Sequence, residues 1–453
     1  MWHNENKKQT KMKYTISAIL FFLLPSILFA QWIELNGSSN FSFNDYTKNI
    51  CTDSNGFIYT SGYFTNTNGN TFVAKWDGTN WSELGGTNNS IFNGSILSMC
   101  ADNKGNLYVA GAFTNTNGNW YVAVWDGKKW SELGGENKSN FNESFSQIIC
   151  DSNGHLYAIG MFTNEYNESY IAKWNGENWD KLEKPNNHYW MVNSMTSDHL
   201  GNIYLSTYNP TAAPYIDVLK WDGQSWTVLG VIKNTFQYGN VVTIETDLYG
   251  NVFCAGNFKN SNDEFYVAKW DGQDWIELNN SNKSVFNNGI TTLTTDIQGN
   301  LYAAGLFTNE NDDVYVAKWD GYEWSELGGE NSSNFYWNIW DIEVLDNGNI
   351  LTTAQLKSPS FKNYIAKYTV TDDYPDILTN YIFPNPATNF ITLRGNYSEI
   401  QIIDVTGRIV LKNQSDEIKT LTKIDVSNFK TGVYFLVGQT IDKQKTIQKF
   451  IKN

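Results

Sequence analysis

Short apolar runs, each closed by a cluster of Gly, Asn and Asp, recur along most of this chain. Residues 95–135 show the pattern. SILSMCAD is apolar up to Asp102, NKGN turns, and LYVAGAF is β-branched and aromatic. TNTNGN turns again, YVAVW is apolar, DGKK is a tight turn, and WSELGG closes the unit. Runs of this type between turn formers are hairpin chemistry. No stretch of the region carries a helical period. The pattern predicts a four-stranded antiparallel meander, with strands a, b, c and d.

The meander repeats. A W-[DN]-G tryptophan recurs as Trp76, Trp125, Trp174, Trp221, Trp270 and Trp319, at steps of 49, 49, 47, 49 and 49 residues. Five residues after each stands a second one: Trp81, Trp130, Trp179, Trp226, Trp275 and Trp324. A fixed period in this range marks a stacked supersecondary unit. The a–b turn carries D-x-x-G or a close variant seven times: Asp53/Gly56, Asp102/Gly105, Asp151/Gly154, Asp198/Gly201, Asp247/Gly250, Asp296/Gly299 and Asp346 with Gly348. Third strands also number seven if Ile365–Tyr368 is the last, yet only six fourth strands lie between Trp81 and Trp324. The missing one is Gln31-Trp32-Ile33-Glu34-Leu35, at the start of the mature chain. A repeat split between the two ends is what a circular array requires, because the first strand then completes the last blade and no sheet edge stays open. The expectation is an all-β chain whose residues 31–370 form a seven-bladed β-propeller closed by its N-terminal strand. Trp32 and the two tryptophan series should pack blade against blade, each burying about 150–250 Å².

Composition narrows the partners. The net charge of −15 disfavours nucleic acid, which is gripped through clustered Lys and Arg. The only arginines are Arg394 and Arg408, so the repeat region has no guanidinium clamp for carboxylate or phosphate, and an arginine-triad sialidase is excluded. Residues 1–30 read as a secretory signal peptide: Lys7, Lys8, Lys11 and Lys13 precede an apolar run from Ile16 to Ala30. That run is short of the roughly 20 residues needed to cross a bilayer and is interrupted by Pro25. Translation could start at Met1 or Met12, and no Cys follows the cleavage point to take a lipid anchor.

The cysteines are Cys51, Cys100, Cys150 and Cys254. Cys51 and Cys100 share a repeat position and Cys150 is one place off. Equivalent positions on neighbouring units are expected to lie beyond the Cα spacing of about 4.4–6.8 Å that a disulfide needs. They read as small buried apolar side chains.

Candidate chemistry is thin. Seven copies of one aspartate argue for a structural turn rather than a catalytic constellation. His155 replaces the Asn of a repeated turn, while His188 and His199 lack metal-ligand spacing. No Ser-His-Asp or Cys-His order is present. The b–c turns, such as 65–69, 260–264 and 309–313, are rich in the oxygen ligands that calcium prefers, but they keep no fixed ligand register. No cofactor is expected. Interest falls instead where the repeat is broken. Trp120, Trp190, Trp337 and Trp340 are off-pattern, and both His188-Tyr189-Trp190 and Tyr336-Trp337…Trp340 fall on crossings between strands d and a. Tyr189, Trp190, Tyr336, Trp337 and Trp340 are therefore the candidate residues for stacking on sugar rings or anchoring a partner, against the alternative of locally varied packing.

The repeat D-x-x-G-N-[LI]-Y…G-x-F…[IV]-A-K-W-[DN]-G-x-x-W resembles Kelch-like and related bacterial propeller repeats of exported surface proteins. After it come Phe383-Pro384-Asn385-Pro386, then Ile400 to Arg408 (IQIIDVTGR), Ile424 to Phe429, Thr431-Gly432-Val433-Tyr434, and a terminal Gln448 to Lys452. Short alternating strands with Pro and Gly turns predict a small Ig-like β-sandwich over 381–453, with 371–380 as linker. The order of blocks resembles the type A C-terminal sorting domain of the type IX (Por) secretion system of Bacteroidetes. The resemblance implies that Pro384, Asn385, Pro386, Asp404, Gly407, Arg408, Gly432 and Tyr434 are sorting-motif positions. It also implies that the domain engages the type IX machinery to cross the outer membrane, and that the cargo is then released or fixed to surface lipopolysaccharide. The combined expectation is an exported monomer that binds a polysaccharide or a surface protein without catalysis. The alternative is a polysaccharide lyase or glycosidase with acidic residues at the propeller centre, and a third reading is a purely structural surface component. Near-identical blades favour the non-catalytic readings, since an active site makes some blades depart from the rest.

Overall fold

The structure is a computed structural model. It describes residues 32–370 apart from 36–40, 42, 54, 183–190, 209–215, 233–239, 280–284, 334, 346 and 355–363, and residues 381–452 apart from 384–386, 388–389, 395–396, 414–420 and 441–444. Residues 1–30 and 371–380, expected as signal peptide and linker, lie outside the described residues.

Seven four-stranded antiparallel sheets follow one another. Blade 1 is Thr47–Thr52, Ile58–Gly62, Ala74–Trp76 and Trp81–Glu83, and five further blades repeat it through Trp324–Glu326. Blade 7 takes strands a to c from Asp341–Val344, Ile350–Ala354 and Tyr364–Tyr368, and strand d from Trp32–Glu34. The register there is Trp32 opposite Tyr368 and Glu34 opposite Ala366. Successive a strands pack side by side around the ring, and blade 1 meets blade 7 to close it.

The tryptophan pairs follow from the c–d turn. In blade 1, Asp77 Oδ1 accepts the backbone N–H groups of Thr79 and Asn80 at 2.8 and 2.7 Å, and Gly78 supplies φ = +98°. This sets Trp76 directly across from Trp81, with ring centroids 5.3 Å apart, and the other five pairs lie at 5.2–5.5 Å. The d-strand indole then reaches the preceding blade. Trp130 Nε1 donates to Leu84 O at 3.3 Å, Trp324 Nε1 to Leu278 O at 2.9 Å, and Trp81 Nε1 to Leu35 O at 2.6 Å. Leu35 directly follows the N-terminal strand, so that strand stands in the repeat's own register. Trp32, Trp81, Trp125, Trp130 and Trp324 are buried, while the remaining members of both series are half-buried at the blade rims.

Each repeat aspartate is consumed by its turn. Asp102 Oδ1 accepts Lys104 N and Asn106 N, both at 2.9 Å, and Oδ2 accepts Asn106 Nδ2 and the Tyr108 hydroxyl. His155 fills the Asn place in blade 3, its Nδ1 lying 2.9 Å from Asp151 Oδ2. The last copy differs from expectation. Leu345, not Asp346, holds the aspartate position, because Leu345 N pairs with Asn349 O and Gly348 N with Leu345 O just as Asp53 pairs with Phe57 and Gly56. The turn keeps the length of the others, with Leu in place of Asp at its first position.

A second carboxylate is structural as well. Glu132 of WSEL accepts Asn115 Nδ2, Asn137 N and Ser139 N, tying the b–c turn to the next d–a crossing; Glu83 and Glu326 repeat the bonds. The b–c turns weighed for calcium are closed by their own asparagines: Asn115 Oδ1 accepts Asn117 N and Asn119 N at 3.1 Å, and Asn66 and Asn309 do the same. Off-pattern Trp120 joins this scaffold, bridging to Thr114 and Phe141.

The expected separation of the cysteines is overturned at one pair. Cys100 Sγ and Cys150 Sγ lie 2.8 Å apart. Cys51 and Cys100 are indeed equivalent, facing Tyr59 and Tyr108 across their sheets. Cys150 is one place further along its strand, and successive strand side chains point to opposite faces. It therefore faces back to blade 2, while Cys100 faces forward to blade 3.

Residues 381–452 form a three-stranded sheet (Tyr381–Phe383, Phe390–Arg394, Leu421–Asp425) and a four-stranded one (Ile409–Asn413, Tyr397–Asp404, Gly432–Thr440, Lys445–Lys452). Ile391, Leu393 and Ile424 of the first meet Ile400, Ile402, Leu436 and Phe450 of the second in one core, as in a β-sandwich.

Candidate functional site

The antiparallel meander sends the d–a crossings and b–c turns to one face of the ring, and the a–b and c–d turns to the other. On the crossing face of most blades an asparagine clasps its own blade's b–c turn. Asn93 Oδ1 accepts Thr114 N at 2.9 Å and Asn93 Nδ2 donates to Thr114 O; Asn44, Asn142 and Asn287 make the same contact to Thr65, Thr163 and Thr308. In blade 7 this position is Tyr336.

The crossing around Tyr336 alternates anchors and exposed rings. Phe335 and Ile339 are fully buried and Asn338 nearly so, whereas Tyr336, Trp337 and Trp340 are 46%, 55% and 44% exposed. Its backbone is pinned to blade 6: Ile339 N donates to Gly305 O at 3.2 Å, and Thr291 Oγ1 donates to Ile339 O at 2.6 Å. Tyr336 and Trp337 meet edge to face at 5.5 Å. Trp340 holds the place of the bulged residue that interrupts every other a strand, such as Lys48 in blade 1 and Thr291 in blade 6. The structure thus brings three predicted site residues onto one rigid segment at the inner rim. Tyr189 and Trp190 lie outside the described residues. Sequence reading missed Tyr46 and Tyr63 of neighbouring blade 1, joined by Tyr63 N to Tyr46 O at 2.9 Å, and Leu306 beside the Gly305 anchor; all three are exposed on this face. Each is a lone apolar residue in a variable loop, with no periodic signal of its own.

The inner strands carry a second group that the sequence did not single out. At the position shared by Cys51 and Cys100, blades 5 and 7 place Glu245 and Glu343, opposite Phe253 and Leu351. Two residues earlier blade 7 adds Asp341. Burial pushes the Glu245 carboxyl up to about 8, with the negative charges of Glu343, Asp247 and Asp341 adding to the shift against the Thr246 N–H. Burial raises Asp341 to about 7, against the N–H groups of Ile50 and Ile342, the Thr292 hydroxyl and the Lys48 charge. These groups also bind neighbouring blades together. Ile50 N donates to Asp341 Oδ2 and Thr52 Oγ1 to Glu343 Oε1, each at 2.9 Å. Gln147 similarly bridges to Met195 N and O. Among the described residues no cluster of three His, Cys, Asp or Glu side chains could hold a metal ion.

A cleft of about 860 Å³ opens between blades 5 and 6, lined by Lys259, Glu264, Asn309, Trp324 and Glu326. Its Glu326 oxygens are already taken by Asn331 N and Ser333 N.

In the C-terminal domain the sorting-motif positions are turn and core residues. Asp404 Oδ1 accepts Thr406 N and Oγ1 and Arg408 N, Oδ2 lies 3.0 Å from Arg408 Nε, and Gly407 has φ = +83°. These bonds, led by the Thr406 hydroxyl, hold the Asp404 carboxyl at about 2. Tyr434 is buried against Phe450 and Phe429 and donates to Lys430 O, while Gly432 begins its strand. Pro384, Asn385 and Pro386 lie outside the described residues.

Fold and sequence blocks together define an exported β-propeller joined to a secretion-signal domain. Residues 381–453 match the family model of the Secretion system C-terminal sorting domain. They make this chain a type IX cargo, carried to the cell surface or beyond by interaction with that secretion machinery. No curated protein matches the sequence. Among solved structures, the chain is similar to YCF48 bound to D1 peptide, with 13% identity, TM-score 0.50, and coverage of 77% of this chain and 97% of that one. It is also similar to the extracellular domain of a hybrid two-component system from B. thetaiotaomicron, at 12% identity and TM-score 0.51, covering 93% of this chain and 57% of that one. At such identities these likenesses speak to the propeller fold alone.

Proposed function

We propose that the propeller is a non-enzymatic binding or adhesion module, displayed on the cell surface or released, which takes its ligand on the crossing face at Tyr336, Trp337 and Trp340. Residues 1–30 act as the signal peptide for the first membrane. The observation that carries the reading is the anchored crossing: three rings stand in water on a backbone fixed by Phe335, Ile339 and Thr291. Rigid aromatic surface of this kind loses little entropy on binding and suits the apolar faces of sugar rings. A polysaccharide is therefore the favoured ligand, and a surface protein the second.

The central carboxylates favour one other reading, a lyase or glycosidase. A carboxyl group raised to about 7 or 8 is poised for acid–base work near neutral pH. Asp341 and Glu343, however, already accept bonds from blade 1, which suits blade clasps better than catalysts. A glycan array probed with the exported protein tests the proposal. Binding is expected, with at least a tenfold loss in Trp337→Ala/Trp340→Ala. Unchanged affinity in that variant would remove the site, and product release from a polysaccharide panel without binding would favour the enzyme.

A further inference from the structure

Export places this chain in an oxidising compartment, where cysteine pairs within reach are joined. Cys100 and Cys150 sit on the inner strands Ile96–Ala101 and Phe145–Cys150 of adjacent blades 2 and 3, with sulfurs 2.8 Å apart. That is inside the van der Waals contact of two sulfur atoms and less than about 1 Å from the 2.05 Å of a bond. The two strands are held in this alignment independently of the sulfurs. Ile148 N donates to Ser98 Oγ at 3.0 Å and Ser98 Oγ to Ile148 O at 3.3 Å, two residues before each cysteine.

We infer that Cys100 and Cys150 close an interblade disulfide in the exported protein, a rivet near the propeller axis. Two thiols lose two protons and two electrons, an S–S bond forms, and a disulfide of a thiol–disulfide oxidoreductase or of a low-molecular-weight thiol accepts the electrons and protons, its S–S bond breaking to give two thiols. The rivet is structural rather than a switch. Burial, reinforced by the Cys150 contact, pushes the Cys100 thiol well up, so Cys100 does not readily form the attacking thiolate once the ring is complete. Cys51 is the nearest competitor by sequence. It faces blade 2 from the position equivalent to Cys100, and burial and the charges of Glu343 and Asp341 raise it as well. Cys254 is fully buried on strand b of blade 5.

The test is peptide mapping of the exported full-length chain, denatured in an alkylating agent without reductant. The expected result is one peptide pair joining Cys100 to Cys150, with Cys51 and Cys254 alkylated. Four alkylated cysteines, or a link through Cys51 or Cys254, would overturn the inference. A second measurement removes dependence on the exporting cell. The Cys51→Ser/Cys254→Ser chain, refolded in a mixture of glutathione and its disulfide, should lose two hydrogens and melt lower on reduction. Native circular dichroism with both thiols still alkylatable would equally overturn it.

Discussion

Replacing Trp32 by Ala tests whether the first strand of the mature chain closes the ring. Its indole is 6% exposed, edge-on to Phe335 at 4.9 Å and tilted on Tyr368 at 5.4 Å. A buried tryptophan removes about 150–250 Å² from water, an upper value of about 4–6 kcal/mol at 25 cal/mol per Å². Trp→Ala replacements in cores cost about 3–5 kcal/mol. With about 2.1 cal/mol/K of unfolding entropy per residue over roughly 340 residues, 1 kcal/mol corresponds to about 1.4 °C, so the midpoint should fall by about 4–7 °C. Ile33→Ala is the internal control. It lies on the same strand but is 49% exposed, and a surface substitution is expected to stay within about 0.5 kcal/mol. Differential scanning calorimetry of the full-length variants reads both. If Trp32→Ala melts with the parent, or if the two variants lose equal stability, the strand does not complete blade 7 in the register described.

Two other outcomes follow from the inner ring. Gly256→Ala places a Cβ against the carbonyl of Asn240 and the N–H of Val242 at the bulge of blade 5. Backbone cannot yield as a side chain can, so the variant should lose about 3 kcal/mol or more, or fail to accumulate; a wild-type melting curve would refute the close approach. Glu245→Gln tests the raised carboxyl. Its folded value of about 8 exceeds the ordinary 4.5, so the folded state holds the extra proton, and stability is lost as pH rises from about 4.5 to about 8. The midpoint of the Gln variant relative to the parent should therefore climb across that window, and a difference independent of pH would refute the burial of the charge.

Much of the fold was legible because each repeat carries its own local instructions. The Asp102 turn, the Asp77 turn with Gly78, and the facing Trp76 and Trp81 are settled within a few residues, so their spacing could be read and counted. The site was legible only as an interruption: Tyr336 displaces an asparagine that clasps a b–c turn elsewhere. Nothing in the order of residues revealed that Phe335 and Ile339 would anchor the segment, or that Tyr46 and Tyr63, nearly three hundred residues earlier, would share its face.

By itself, then, the sequence determined the blade, the number of blades and the split last repeat, because hairpin chemistry and period are local properties. It also determined the export route, through the ordered blocks of residues 381–453. Only the closed ring decided which inner-strand side chains meet. Successive residues alternate faces, so a one-residue offset sets Cys150 against Cys100, and the convergence of seven inner strands on one axis brings Glu245 under the charges of Glu343 and Asp341. Those meetings depend on the packing of neighbouring blades, which repeat counting does not contain.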